Sequence, residues 1–136
     1  MDIATKRTVI RVRLDRARDD LETASELLKV SRWRGAVNRA YYTVFHVASA
    51  ALLWLDIERS RHAGVQAAFN EFLIKPGLIE IEYGRIYRTA REWREDQDYS
   101  IAARQLDEMT AVQIVHDAER FVTRLESYLR QEGATQ

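Results

Sequence analysis

Apolar side chains at Ile10, Leu14, Ala17, Leu21, Ala24 and Leu28 step by four and three through a stretch otherwise filled with charge. That spacing draws a single stripe down an α-helix and does not fit a strand, whose apolar positions would alternate. It predicts a first helix from about residue 5 to about residue 30, with one face that other elements must cover. The same period returns along the chain. A second helix turns Val37, Tyr41, Val44, Ala48, Leu52 and Leu55 towards a core, with Ser31 as its N-cap. Its small residues (Gly35, Ala36, Ala40, Ala48, Ala50, Ala51) let a neighbouring helix approach closely. A shorter helix is expected to open with Ser60 as its cap and to run through Ala63, Gln66, Ala67 and Phe69 before a Pro76-Gly77 turn. A fourth helix carries Tyr83, Ile86, Tyr87, Ala90 and Trp93, up to a polar break over residues 94–100. The last carries Leu106, Ala111, Ile114, Val115, Ala118, Phe121, Val122, Leu125 and Leu129, followed by a frayed tail at 131–136.

No segment alternates with period two. The expected fold is all-α: an antiparallel up-and-down bundle of about five helices, four main and one short, in a single domain over residues 1–130. A chain of 136 residues, 46% hydrophobic and 31% charged, is long enough to bury one core, and this balance fits a folded, water-soluble protein rather than a disordered chain. No apolar run approaches the roughly 18 residues of a membrane span, and the N-terminus is charged where a secretory leader would be apolar. The expectation is a cytoplasmic protein with no membrane partner. Zero cysteines exclude disulfides, thiol nucleophiles and cysteine-based zinc sites.

The 21 basic and 21 acidic side chains balance, so the whole molecule is no polycation. Their distribution is uneven. Between Leu27 and Leu55 there is no Asp or Glu, while Lys29, Arg32, Arg34 and Arg39 fall there. Only three of the basic residues are lysines. Arginine brings a planar fork matched to phosphates and carboxylates. The glycine-rich loops that cradle nucleotide phosphates are missing. His46, His62 and His116 are never paired at three or four residues' spacing, and no metal site or cofactor is expected.

Three polar constellations stand out. In "VNRAYYTVFHVASAALL", Arg39 and His46 lie close to two turns apart, about 10 Å along the axis, on nearly one face, with Tyr42 between them. A histidine that titrates near neutrality moves protons, and an arginine two turns away holds a phosphate; the same row also suits a buried structural network. Arg32 and Arg34 sit at a helix N-terminus, where positive charge opposes the macrodipole by about 0.3–1 kcal/mol each, and directly after a helix C-terminus, where it is favoured. They form either a neutral corner or a phosphate patch beside Arg39. Arg94, Asp98 and Tyr99, next to Trp93, form the third group, as a salt-bridged corner in which Asp98 caps the last helix or as one wall of a polar pocket.

Taken together, "NRAYYTVFHVASAALL" (residues 38–53), "SRHAGVQAAF" (60–69) and "YGRIYRTAREWREDQDYS" (83–100) resemble the HEPN domain. The likeness is to the small stand-alone bacterial and archaeal type that accompanies a minimal nucleotidyltransferase. Its carriers are Arg39, Tyr41, Tyr42, Phe45 and Ala48, then Ser60 and His62, then Arg94, Asp98 and Tyr99. The resemblance implies a dimerising helical bundle, RNA or nucleotide binding in a cleft near the dimer interface, and a toxin–antitoxin-type module with the nucleotidyltransferase. Many members of the wider superfamily are metal-independent ribonucleases, with an Arg, four to six residues and a His on a late helix. Here the late helix has Arg94 with Asp98-Tyr99, and the Arg-x6-His spacing falls at Arg39 and His46 on the second helix. Two readings follow. A ribonuclease would use His46 as acid and base, Arg39 as phosphate clamp and Arg94 as its assistant. Arg32, Arg34, Tyr42, His62, Asp98 and Tyr99 would bind nucleotide or RNA, with Tyr42 and Tyr99 positioning a base or accepting a modification from the partner. Alternatively, the chain is a catalytically inactive module that docks the nucleotidyltransferase.

Overall fold

The computed structural model describes residues 1–135. Five α-helices follow in order: α1 (Ile3–Lys29), α2 (Trp33–Trp54), α3 (His62–Phe69), α4 (Ile81–Tyr99) and α5 (Glu108–Gln131). Among the described residues there is no strand, so the expected all-α bundle is the fold. None of these helices is long and apolar enough to cross a membrane.

The stripe expected on α1 is the one it buries: Ile10, Leu14, Ala17, Leu21 and Ala24. The helix is capped by Asp2, whose carboxylate accepts from the Thr5 amide at 2.7 Å. α2 is the hub and packs against each of the other four α-helices. It can do so because its alanines at 36, 40, 48, 50 and 51 are fully buried and leave room for neighbouring backbones. Tyr41, Phe69, Tyr87 and Phe121 join α2, α3, α4 and α5 in one aromatic cluster, with Phe69 and Phe121 centroids 5.3 Å apart. Each such large side chain contributes about 1.5–3 kcal/mol by leaving water.

Helix ends depart from the sequence expectation in an instructive way. Ser31 does not cap α2; it ends α1. It adopts the left-handed conformation, φ 59°, and its amide donates to the Leu28 carbonyl while the Arg32 amide donates to that of Leu27. This is the Schellman arrangement, and it uses Ser31 for its backbone rather than its hydroxyl. α2 then starts at Trp33, with Arg32 in the N-cap position and no side-chain cap. Asp56 (φ 62°) ends α2 in the same way. Ser60 is likewise not the cap of α3, which starts one residue later from Arg61.

α3 continues into a π-helical turn over Asn70–Ile74 before the Pro76-Gly77 turn. α4 passes close to this turn at Gly84, where a Cβ would stand 3.2 Å from Asn70 Oδ1 and 3.4 Å from Ile74 Cγ1. The polar stretch 94–100 is not a break. α4 runs through it to Tyr99, held by Arg91–Glu95 and Arg94–Asp98 pairs one turn apart. The break falls over residues 100–107, where the Arg104 amide donates to Asp96 at 2.8 Å and Arg104 Cζ lies 3.9 Å from the Trp93 ring centroid. Leu106 belongs to this connection, and Asp107, not Asp98, caps α5 by accepting from the Thr110 amide.

The tail expected to fray at 131–136 is anchored as far as it is described. Gly133 (φ 81°) closes α5, the Ala134 amide donates to Leu129 at 2.8 Å, and Ala134 is buried. Arg7 Nε and Nη2 both donate to the Gly133 carbonyl. Gln136 lies outside the described residues.

Candidate functional site

The site is built where the N-terminal half of α2 meets the last turns of α4. Arg94 is its centre. Its side chain is only 11% exposed, and a guanidinium so far removed from water needs partners on its edge and its faces. Nε donates to Asp98 Oδ2 at 3.2 Å, and Nη2 donates to the hydroxyls of Tyr42 at 3.2 Å and Tyr99 at 3.3 Å. The rings of Tyr41, Tyr42 and Tyr99 surround the cation, with centroids 5.0, 5.3 and 5.5 Å from Cζ. Such contacts contribute about 0.5–2 kcal/mol each, more where water is excluded. Asp98 in turn accepts from Asn38 Nδ2 at 3.3 Å and lies 3.5 Å from Arg34 Nε. One carboxylate thus ties α4 to α2 at two points, Asn38 and Arg34, while pairing with Arg94 on its own helix.

His62, the first residue of α3, lies against two of these rings, those of Tyr41 and Tyr42, at 5.7 and 5.8 Å between centroids. Its Nδ1 is 2.9 Å from the hydroxyl of the fully buried Tyr41, and its ring lies on Phe45 at 4.4 Å between centroids. Burial, then the positive charges of Arg94 and Arg91, hold this imidazole below its ordinary pKa of 6.5, so it is neutral near pH 7. Burial pushes the Tyr41 phenol up to about 12, so it keeps its proton.

Arg39 and His46, the two ends of the polar row, do not join this cluster through hydrogen bonds. Both turn to Asp20 on α1. Arg39 Nη1 donates to Oδ1 at 3.1 Å, and His46 Nε2 lies 3.5 Å from Oδ2. Burial holds His46 below its ordinary pKa, against the opposing pull of Asp20, with Arg16 and Arg13 adding to the depression. Tyr42, between them in sequence, lies tilted against His46 at 6.2 Å between centroids, while its hydroxyl accepts from Arg94. The row therefore straddles two networks.

Between α1 and α2 a groove of about 660 Å³ opens beside the Arg94–Asp98 corner. Arg32, Arg34, Arg39, Asn38 and Asp98 line it, with Trp33 and Leu27 as apolar wall. Arg34 is 67% exposed at the side chain and Arg39 48%, so both forks reach solvent in spite of their carboxylate contacts. The structure brings Arg94, Tyr42, Tyr99 and Asp98 together, gathers Arg32, Arg34 and Arg39 along the groove, and sets His62 against Tyr41 and Tyr42. His116 is exposed on α5 and takes no part. Among the described residues no group of three or more His, Asp or Glu side chains is placed to hold a metal ion.

Sequence reasoning missed Asp20, Asn38 and the hydroxyl of Tyr41. For Asp20 a signal existed. A segment from Leu27 to Leu55 with cations and no acid must find its carboxylates on other helices, and Asp20 flanks the α1 stripe, three residues after Ala17 and four before Ala24.

Among known proteins, the chain matches the model of the HEPN domain over residues 10–128. A UPF0332 protein of Thermotoga maritima is 37% identical to it across 84% of this chain and 86% of the relative. A candidate toxin of Methanocaldococcus jannaschii is 34% identical across 92% of both chains, and a second candidate toxin of the same organism is 26% identical across 95% of this chain and 86% of its own.

Proposed function

Since the chain belongs to the HEPN-domain family, we propose that it is a toxin-like HEPN protein that binds RNA or a nucleotide in the groove beside Arg94, as a homodimer and as one component of a cytoplasmic toxin–antitoxin-type module with a nucleotidyltransferase. The toxin-like part of this reading draws on the names of its Methanocaldococcus relatives. The observation that carries the binding part is the alignment of Arg32, Arg34 and Arg39 along one groove of about 660 Å³, next to an arginine held among tyrosines. A guanidinium meets a phosphate through two parallel N–H donors, which gives orientation as well as attraction. Tyr99, 71% exposed, offers a ring face on which a base can stack, an interaction of about 1–3 kcal/mol.

The catalytic form of this reading gives His46 the proton transfers and Arg39, assisted by Arg94, the phosphate. The 2′-hydroxyl attacks the adjacent phosphodiester, its proton leaves to the base, and the 5′-oxygen departs with a proton from the acid, leaving a 2′,3′-cyclic phosphate. One observation favours the second reading, a catalytically inactive module that docks the nucleotidyltransferase: Arg39 and His46 are both engaged by Asp20, and Arg94 by Asp98. That is the pairing expected of a network that fixes helix register.

Purified protein incubated in EDTA with a labelled tRNA pool and total RNA, beside His46→Ala and Arg94→Ala, tests both. Cyclic-phosphate ends lost in the variants support the ribonuclease. RNA retained but uncut supports the inactive module. No retention of RNA or mononucleotide by a folded sample overturns the binding reading.

A further inference from the structure

Hydrogen-bond accounting at Tyr41 assigns a state to His62. Tyr41 is a fully buried residue, and among the described residues the hydrogen-bond partner of its hydroxyl is His62 Nδ1 alone, at 2.9 Å. A phenol proton in that position has one acceptor to go to, and an unsatisfied buried donor would cost about 1–3 kcal/mol. If Nδ1 carried the proton instead, the phenol proton would have no partner. The ring also packs against Phe45 at 4.4 Å and Tyr42 at 5.8 Å between centroids, contacts that favour this orientation of Nδ1.

We infer that Tyr41 fixes His62 as the tautomer with hydrogen on Nε2, making it a neutral hydrogen-bond donor that, beside Arg94, holds a phosphate oxygen of the bound RNA or nucleotide. His62 is then a binding residue and Tyr41 the positioning residue behind it. The ligand half of this inference rests on the binding reading above; the tautomer does not. The chemistry is specific. A nitrogen that already carries a proton cannot accept one from a 2′-hydroxyl, so His62 recognises phosphate without being the base. The cation and the neutral donor divide the work. Arg94 and His62 lie against the same two rings, Tyr41 and Tyr42. A phosphate reaching both side chains would meet one full charge and one dipole. The low proton affinity that burial, Arg94 and Arg91 impose on the ring keeps it in this neutral form near pH 7.

Long-range proton–nitrogen spectra of the labelled full chain at pH 7.5 read the tautomer directly, with His62→Gln identifying the ring by its missing signals. The expected result is an unprotonated, hydrogen-bonded Nδ1 whose resonance moves to the free-nitrogen position in Tyr41→Phe. A protonated Nδ1 in the native chain overturns the assignment. Titration with adenosine 5′-monophosphate reads the ligand. His62→Phe is expected to weaken binding about 3–10-fold, the loss of one hydrogen bond, and His62→Gln, whose amide still donates, to regain part of it. Equal affinity in native protein and His62→Phe overturns the ligand role. Absence of binding by the native protein to this nucleotide and to RNA overturns the function proposed above together with that role, and leaves the tautomer to be decided by its own spectrum.

Discussion

The Tyr42 hydroxyl accepts a hydrogen bond from Arg94 Nη2 at 3.2 Å, across 52 residues of sequence. That contact joins the middle of α2 to the end of α4, and it places a hydroxyl, a cation and the Asp98 carboxylate within one another's reach. Arg94 is therefore both a tie between helices and the charge around which the site is arranged.

Removal of Arg94 leaves Asp98 facing Asn38 and Arg34 alone and opens space between three tyrosine rings. Arg94→Ala is expected to lower stability in urea titrations by about 3 kcal/mol, the low end for breaking a buried pair on one side, because Asp98 keeps Asn38 and Arg34. Arg94→Lys is expected to recover less than half of this, because an ammonium cannot serve Asp98, Tyr42 and Tyr99 from one plane.

Stability is expected to fall as the solution is made acidic below neutrality, before any carboxylate titrates. His46 and His62 both hold protons less readily in the fold than at their ordinary pKa of 6.5. Between that value and the lower folded pKa the unfolded chain binds more protons, so acidification favours unfolding through that window. The contribution is fully present above about pH 6.5 and is lost as the pH drops through the folded values. Thermal melts from pH 7.5 to 5 check this, and a His46→Gln, His62→Gln double variant is expected to show a flatter profile over the same range.

Binding of RNA is expected to weaken steeply with salt, because each neutralised phosphate releases a counterion. Arg32→Ala and Arg34→Ala, on the groove rim, should each reduce the slope of log K against log salt by about 1 for double-stranded ligands and somewhat less for single strands. Filter-binding at several salt concentrations measures it. Unchanged slopes would remove these two side chains from the interface.

Gly133 has φ 81° and no neighbour within 4 Å of the position a Cβ would take. Gly133→Ala therefore tests conformation alone, and is expected to destabilise the bundle by about 1 kcal/mol through the strained left-handed turn. The effect should include earlier hydrogen exchange at Ala134, whose amide closes the turn on Leu129.

How far the sequence reaches follows from what kind of information each feature needs. The α1 stripe is local, and Ile10, Leu14, Ala17, Leu21 and Ala24 are buried as their spacing requires. The pairing of Arg94 with Asp98 is also local, one helical turn, and was legible. Ser31 was not. Its type suits a cap, but the turn between α1 and α2 is short enough that the same residue has to end the first helix, and backbone geometry overrode the side chain. The polar composition of residues 94–100 suggested a break because composition does not show that Arg91, Arg94, Glu95 and Asp98 pair along one helix face. Arg39 and His46 were correctly placed on one face of α2, but which carboxylate that face would meet depends on the register of α1 against α2, and no single-helix pattern contains it.

The burial of alanines 36, 40, 48, 50 and 51 along α2 has a thermodynamic corollary. Alanine has no rotamers to exchange, so the scaffold behind Tyr41, Tyr42 and His46 has few alternative packings into which it can relax. A ligand docking in the proposed groove would meet a surface whose shape is already set. Little conformational freedom would remain to be lost there on association, so the cost of binding would fall on the solvent-exposed arginine forks rather than on ordering of the helices that carry them.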